Sequence, residues 1–177
     1  MTNHIHLLMT PLDHEGRSLV MQYIGRRYVG NINAIYGRTG TLWQGRHTAS
    51  LIDSERYLLT CMRYIEMNPV RANLVALPEG YKWSSYHANA LGVEVNGLTA
   101  HDAFLALGNS PKTRQQAYRE LFKQPLMSSQ LSELRECLNH VYPLVSERFR
   151  SEIQSALKVN IGRLKQGRPR PEGTDTS

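Results

Sequence analysis

Cysteine is scarce in this chain: Cys61 and Cys137 are the only two in 177 residues. Two thiols make no disulfide framework of the kind that holds small secreted domains together. Cys61 falls on an apolar helical face, where a small buried thiol is the ordinary reading. Long apolar runs are missing too. None approaches the ~18 to 20 residues that span a bilayer, and no charged segment followed by an apolar one opens the chain as a signal peptide would. The expectation is a cytoplasmic protein with no membrane partner. Acidic residues are outnumbered, 15 against 21 Lys and Arg, for a formal charge of +6 and a pI near 9.5. The excess is carried mainly by arginine, whose planar fork suits phosphate oxygens, so nucleic acid is the natural partner. With 41% hydrophobic residues the chain can bury a core as one domain with a tail.

Against that background stands a histidine pair in an apolar stretch, Asn3-His4-Ile5-His6-Leu7-Leu8. In a strand alternate side chains share a face, so His4 and His6 project together while Ile5 and Leu7 point the other way into whatever packs behind. Two imidazoles on one face can share a cation, although a His-x-His pair alone is a weak motif. Downstream, residues 54–68 have helical spacing, with Leu58, Cys61, Met62 and Ile65 as a core face. Tyr64 and Asn68 fall one turn apart on one shoulder of it.

Four blocks carry a more specific signal: Thr2-Asn3-His4-Ile5-His6-Leu7-Leu8, Gly37-Arg38-Thr39-Gly40-Thr41-Leu42-Trp43-Gln44-Gly45-Arg46, Tyr57 to Ala72 with Tyr64-Ile65-Glu66-Met67-Asn68-Pro69-Val70-Arg71 at its centre, and Tyr81-Lys82-Trp83-Ser84-Ser85-Tyr86. Together they resemble the REP-associated tyrosine transposases, of the HUH (His-hydrophobic-His) single-tyrosine family, over most of the chain to about residue 92. The resemblance implies an α+β fold, an antiparallel ferredoxin-like HUH sheet with helices on one face. Family members carry a further strand and helix before the His-x-His motif. The sheet expected here is therefore N-terminally truncated, to two or three strands, with a helical C-terminal appendage and a basic tail. It also implies cleavage and rejoining of single-stranded, hairpin-forming repeat DNA, such as repetitive extragenic palindromes, through a 5′-phosphotyrosine intermediate. Tyr64 would be the nucleophile, with Tyr57 as its rival, and His4, His6 and Asn68 would hold Mg²⁺ or Mn²⁺. A homodimer is compatible with this reading. Its alternative is an inactive transposase remnant that only binds DNA, and a water-using metallohydrolase comes third because it gives Tyr64 no role.

The arginines sit in informative places. Arg26, Arg27 and Arg46, with Trp43, are what a single-strand groove uses, phosphates on the guanidinium groups and bases on the ring. Trp43 as a core residue is the equal alternative. Arg71 is favoured over Arg63 to contact a phosphate near Tyr64, because helical phase carries Arg63 away. His14, His47, His87, His101 and His140 have no partner at metal spacing and read as surface or packing residues.

Along the chain, residues 3–10 read as a strand, 18–36 as a helix closed by Gly37, and 41–52 as a bent strand or hairpin broken by Gly45. Asp53 or Ser54 caps the tyrosine helix, which stops near Asn68 because Pro69 follows. Residues 73–97 look loop-rich, and 100–107, 113–123, 128–139 and 146–157 are helical in pattern. The expected units are a catalytic domain over 1–92, a helical region over 93–157 and a basic tail over 158–177. Within the tail, Gly167-Arg168-Pro169-Arg170-Pro171 resembles an AT-hook core and places Arg168 and Arg170 against DNA.

Overall fold

The computed structural model of the protein describes residues 1, 3–140 and 142–158, with His140 known by its backbone alone. The expectations for the tail, Arg168 and Arg170 among them, lie outside the described residues.

Helices dominate. α1 spans Gly16–Tyr36, α2 Ser54–Glu66, α3 Asn68–Arg71, α4 Tyr86–Leu91, α5 Asp102–Leu105, α6 Pro111–Lys123, α7 Ser128–His140 and α8 Glu147–Leu157, with a 3₁₀ turn at Pro78–Gly80. Their ends follow local chemistry. Gly37 closes α1 at φ +60°, a left-handed conformation that a Cβ resists, and its N–H reaches the Asn33 carbonyl. Ser110 and Thr113 form a reciprocal capping box at α6, and the Ser146 hydroxyl accepts from the Phe149 N–H at α8. Pro69 ends one helix and starts another. α2 stops at Glu66, and the proline occupies the first turn of α3, where its missing N–H leaves no helical bond unmade.

The expected antiparallel ferredoxin-like sheet is not there. Among the described residues the only β contact is an isolated parallel bridge between Ile52 and Leu144. It is closed by the Asp53 N–H to the Leu144 carbonyl at 3.0 Å and the Leu144 N–H to the Leu51 carbonyl at 2.8 Å. The physical reason is a lack of partners. Among the described residues, 3–10 make no backbone hydrogen bond to another segment, and of 41–52 Ile52 bridges to Leu144, so the two strand-like sequences do not pair with each other. A ladder needs a neighbour to accept and donate, and two lone strands are marginal even when paired.

The core is therefore helical, and α2 is its spine. One side of α2 joins Cys61 and Tyr64 to Leu134, Cys137 and Leu144, with Leu8 and Ile52 packed alongside. The other places Leu59 and Met62 against Tyr86, Ala90, Phe104 and Tyr118. The C-terminal helices are thus half of the core and not an appendage on a sheet. Both cysteines are free and buried, and burial pushes the Cys61 thiol up to about 12. The stretch read as loop-rich holds α4, which packs on α6.

Beside the second cluster a carboxylate is locked inside. Glu66, fully buried, accepts from Ser85 Oγ at 2.6 Å and Asn89 Nδ2 at 2.9 Å through Oε1, and from Tyr118 Oη at 2.8 Å through Oε2. These bonds tie α2 to α4 and α6. No described helix is long and apolar enough to cross a membrane.

Candidate functional site

The N-terminal segment lies on the tyrosine helix without forming a strand. Burial is the reverse of the expected packing: Ile5 and Leu7, read as pointing into whatever packs behind, are exposed with Met9, while His6 and Leu8 are half-buried because Leu8 is the residue that finds the Tyr64 cluster. Leu8 packs into the Tyr64 cluster and anchors the segment. The consequence is local and direct. The His4 and His6 rings lie edge to face with centroids 4.9 Å apart, and the His6 ring meets the Tyr64 ring in the same manner at 6.2 Å.

Tyr64 is held from its other neighbours by Arg71. The guanidinium lies 4.3 Å from the tyrosine ring centroid, and its Nη2 donates to the Tyr64 carbonyl at 2.6 Å and to Asn68 Oδ1 at 2.9 Å. The short α3 makes this possible by returning Arg71 beneath Tyr64 within one turn of Asn68. His4, His6, Tyr64, Asn68 and Arg71 thus form one group. Arg63 turns away, over the Phe122 ring and onto the Gln124 carbonyl. Tyr57 packs at the edge of the same cluster under Arg56.

Electrostatics in the group are set by burial and by cation. His6 is held below the ordinary imidazole range, first by desolvation, then by His4, the terminal amino group and Arg71. A neutral imidazole is the form that binds metal. Asn68 Oδ1 already accepts from Arg71, which leaves one lone pair of a carbonyl oxygen for another partner. By donor type alone, two imidazoles and one amide oxygen are a nitrogen-rich set that would suit Mn²⁺ better than Mg²⁺. No group of three or more His, Cys, Asp or Glu side chains that could hold a metal ion gathers among the described residues. Tyr64 itself is only 8% exposed, which restricts any phosphate to a narrow approach.

The remaining predicted residues lie on α1 and the loop after it. Arg26, Arg27 and Arg46 are exposed. Trp43 stacks on Tyr28 of α1, centroids 5.8 Å apart and planes 29° from parallel, so it is neither free nor in the core. Beside it lies an open cleft of about 520 Å³ whose walls include Gln22, Gly25, Arg26, Asn33, Gly40 and Trp43. Sequence reasoning missed Gln22, Tyr28 and Asn33, which carry no motif. It also missed Glu66, although its position four residues after Met62 and seven after Leu59, in line with an apolar face, was a usable sign of a buried acid.

Compared with protein-family models, curated proteins and solved structures, the chain matches none.

Proposed function

We propose that this protein is a tyrosine-dependent DNA strand transferase of the single-strand, hairpin-cleaving class, as the resemblance to REP-associated tyrosine transposases implies. The observation that supports it most is the convergence of Tyr64 with His6 at 6.2 Å between ring centroids and with the Arg71 guanidinium at 4.3 Å. The helical fold lends no support to the family's sheet, so the reading rests on this group and on the sequence blocks.

In the reaction the Tyr64 oxygen attacks a backbone phosphorus and the P–O3′ bond breaks. The 5′-phosphate stays on the tyrosine, whose phenol gives up its proton as the new P–O bond forms, and the departing 3′-oxygen takes up a proton to become a hydroxyl, so that no net proton is gained or lost. Reversal with another 3′-hydroxyl rejoins a strand with no nucleotide consumed. Arg71 supplies fixed positive charge where negative charge accumulates on the phosphoryl oxygens, and holds Asn68 in place through its Nη2. His4, His6 and Asn68 are the residues that would hold Mg²⁺ or Mn²⁺, which when bound polarises a phosphoryl oxygen. The cytoplasm, where such DNA is met, is the compartment this reading requires.

The second reading, a DNA-binding protein without catalysis, is favoured by the burial of Tyr64. One experiment separates the two. Labelled single-stranded hairpin DNA is incubated with Mn²⁺ and the folded protein, and adducts are resolved on a denaturing gel. The expected adduct is absent with Tyr64→Phe and with chelator. DNA binding with no adduct selects the second reading.

A further inference from the structure

Glu66 is the last residue of α2, two residues after Tyr64 and two before Asn68. Nothing local favours an acid there. A negative charge in the last turn of a helix opposes the helix dipole, and burying a carboxyl strips it of water at a cost that an apolar side chain of similar volume avoids. Glu66 is nevertheless fully buried, and its two oxygens accept from Ser85, Asn89 and Tyr118. What such bonds supply, and apolar contacts do not, is direction, because each holds donor and acceptor at one distance and angle. Three of them, two from the start and body of α4 and one from α6, fix the end of α2 in one setting.

That end carries the tyrosine site. α3 spans four residues, too few to hold a helix unaided, and has no side-chain cap. Its main neighbour is α2. The bonds of Arg71 run back to the Tyr64 carbonyl and to Asn68 Oδ1, within the same stretch of chain. They close the corner on itself and do not tie it to the rest of the molecule. Tyr64 packs on Leu134 and Cys137 through apolar contact alone. The directional restraint on the corner is therefore the Glu66 carboxylate.

We propose that Glu66 is a positioning residue of the tyrosine site: held by Ser85, Asn89 and Tyr118, it sets the corner between α2 and α3 so that Arg71 lies on the Tyr64 ring and keeps Asn68 beside it. The inference rests on the reading of Tyr64 as the nucleophile. It gives the helices after residue 92 a part in that site, since Tyr118 of α6 helps to hold it from 52 residues away.

Two measurements on the unaltered protein, Glu66→Leu and Glu66→Gln test it, one of geometry and one of rate. Geometry is read by NMR as the ring-current shift of the Arg71 side-chain protons over Tyr64, the resonances being identified by their loss in Arg71→Lys. Rate is read as adduct formation on labelled single-stranded hairpin DNA with Mn²⁺ over a range of DNA concentrations. Glu66→Leu fills the space and accepts nothing. It is expected to lose the shift and to form adduct about a hundredfold more slowly at saturating DNA, the scale of an ångström misplacement. Half-saturation should stay within about twofold, because the loss falls on the reacting geometry and not on binding. Glu66→Gln keeps an oxygen for Ser85 and Asn89 and turns an N–H toward the Tyr118 oxygen, so both readouts should return. Should Glu66→Leu fail to fold, Ser85→Ala, at the partly buried edge of the network, carries the same test with a smaller loss in each. A folded Glu66→Leu that keeps the shift and the rate overturns the proposal, as does a loss confined to half-saturation. No adduct from the unaltered protein removes the catalytic reading, and the Arg71 shift alone then decides whether Glu66 sets this geometry.

Discussion

Helices α1 and α2 both carry apolar residues at helical spacing, yet four residues of α2 are buried and none of α1 is. Leu19, Tyr23, Tyr28 and Ile35 of α1 are all exposed. The difference lies in what surrounds each helix. α2 is enclosed by α5 and α7 and by the clusters they help to form, whereas the loop that folds back on α1 brings it little beyond Trp43. An apolar stripe is a capacity to be buried, and stability follows only where a second surface arrives. Every buried residue among those described comes from Asp53 onward. Stability is therefore concentrated in the second region, while the first leaves its arginines exposed.

The largest effect is expected from breaking the second region at its centre. Tyr118 is fully buried, packs edge to face on Phe104 and Phe122, and donates to Glu66. Tyr118→Ala should destabilise the protein by about 4 kcal/mol, the scale of an aromatic truncation in a core. The loss would appear in urea unfolding as a lower midpoint at unchanged slope. A change below about 1 kcal/mol would show that the second region is not the stabilising one.

A smaller effect comes from pH, and its sign separates two buried acids of the same region. Burial pushes the Glu66 carboxyl above its ordinary value against the pull of Ser85, Tyr118 and Asn89. A carboxyl that titrates higher in the folded state than in the unfolded favours folding when protonated. Its contribution is fully present below the unfolded pKa and is lost as pH rises through the folded one. Asp53 runs the other way. The Ser146 hydroxyl, donating at 2.7 Å, holds it below the carboxylate range, so its contribution is present above the unfolded value and is lost as pH falls through the lowered one. Glu66→Gln should flatten the decline on the alkaline side and leave the acid limb in place. Stability measured against pH in both proteins checks this, and an unchanged alkaline limb in the variant would rule out Glu66 as its source.

These contrasts also show what the sequence could convey. Periodicity located α1, α2, α6, α7 and α8 because helices are made from local bonds. It passed over α4, whose six residues are too few to display a period. Alternation in residues 3–10 suggested that Ile5 and Leu7 pack behind the histidines, and the buried side is the opposite one, with His6 and Leu8, because alternation describes an extended chain and says nothing about what covers it. The sheet failed there, since its hydrogen bonds are non-local. For the site, spacing carried the relation of Tyr64 to Asn68. The return of Arg71 onto the Tyr64 ring depends on the break at Met67, which Pro69 signalled only as an end. The hydrogen bond from Asn33 Nδ2 to the Gly40 carbonyl, seven residues away, was likewise not legible.

The smallest effect should come from the surface of α1, and it tests the comparison from its weak side. Tyr23 is 63% exposed, with Arg27 over its ring at 5.7 Å. Tyr23→Ala should change stability by no more than about 0.5 kcal/mol, as expected where nothing is buried. Amides of α1 should exchange faster than those of α2, because opening α1 exposes little that was covered. A loss on the scale of Tyr118→Ala would mean that α1 is covered in solution. The homodimer compatible with the transposase reading would then be the first candidate, and it carries its own signature. Subunit association stabilises by mass action, so the unfolding midpoint would rise with protein concentration. A midpoint independent of concentration, together with a neutral Tyr23→Ala, leaves the apolar side of α1 as exposed surface beside Arg26 and Arg27.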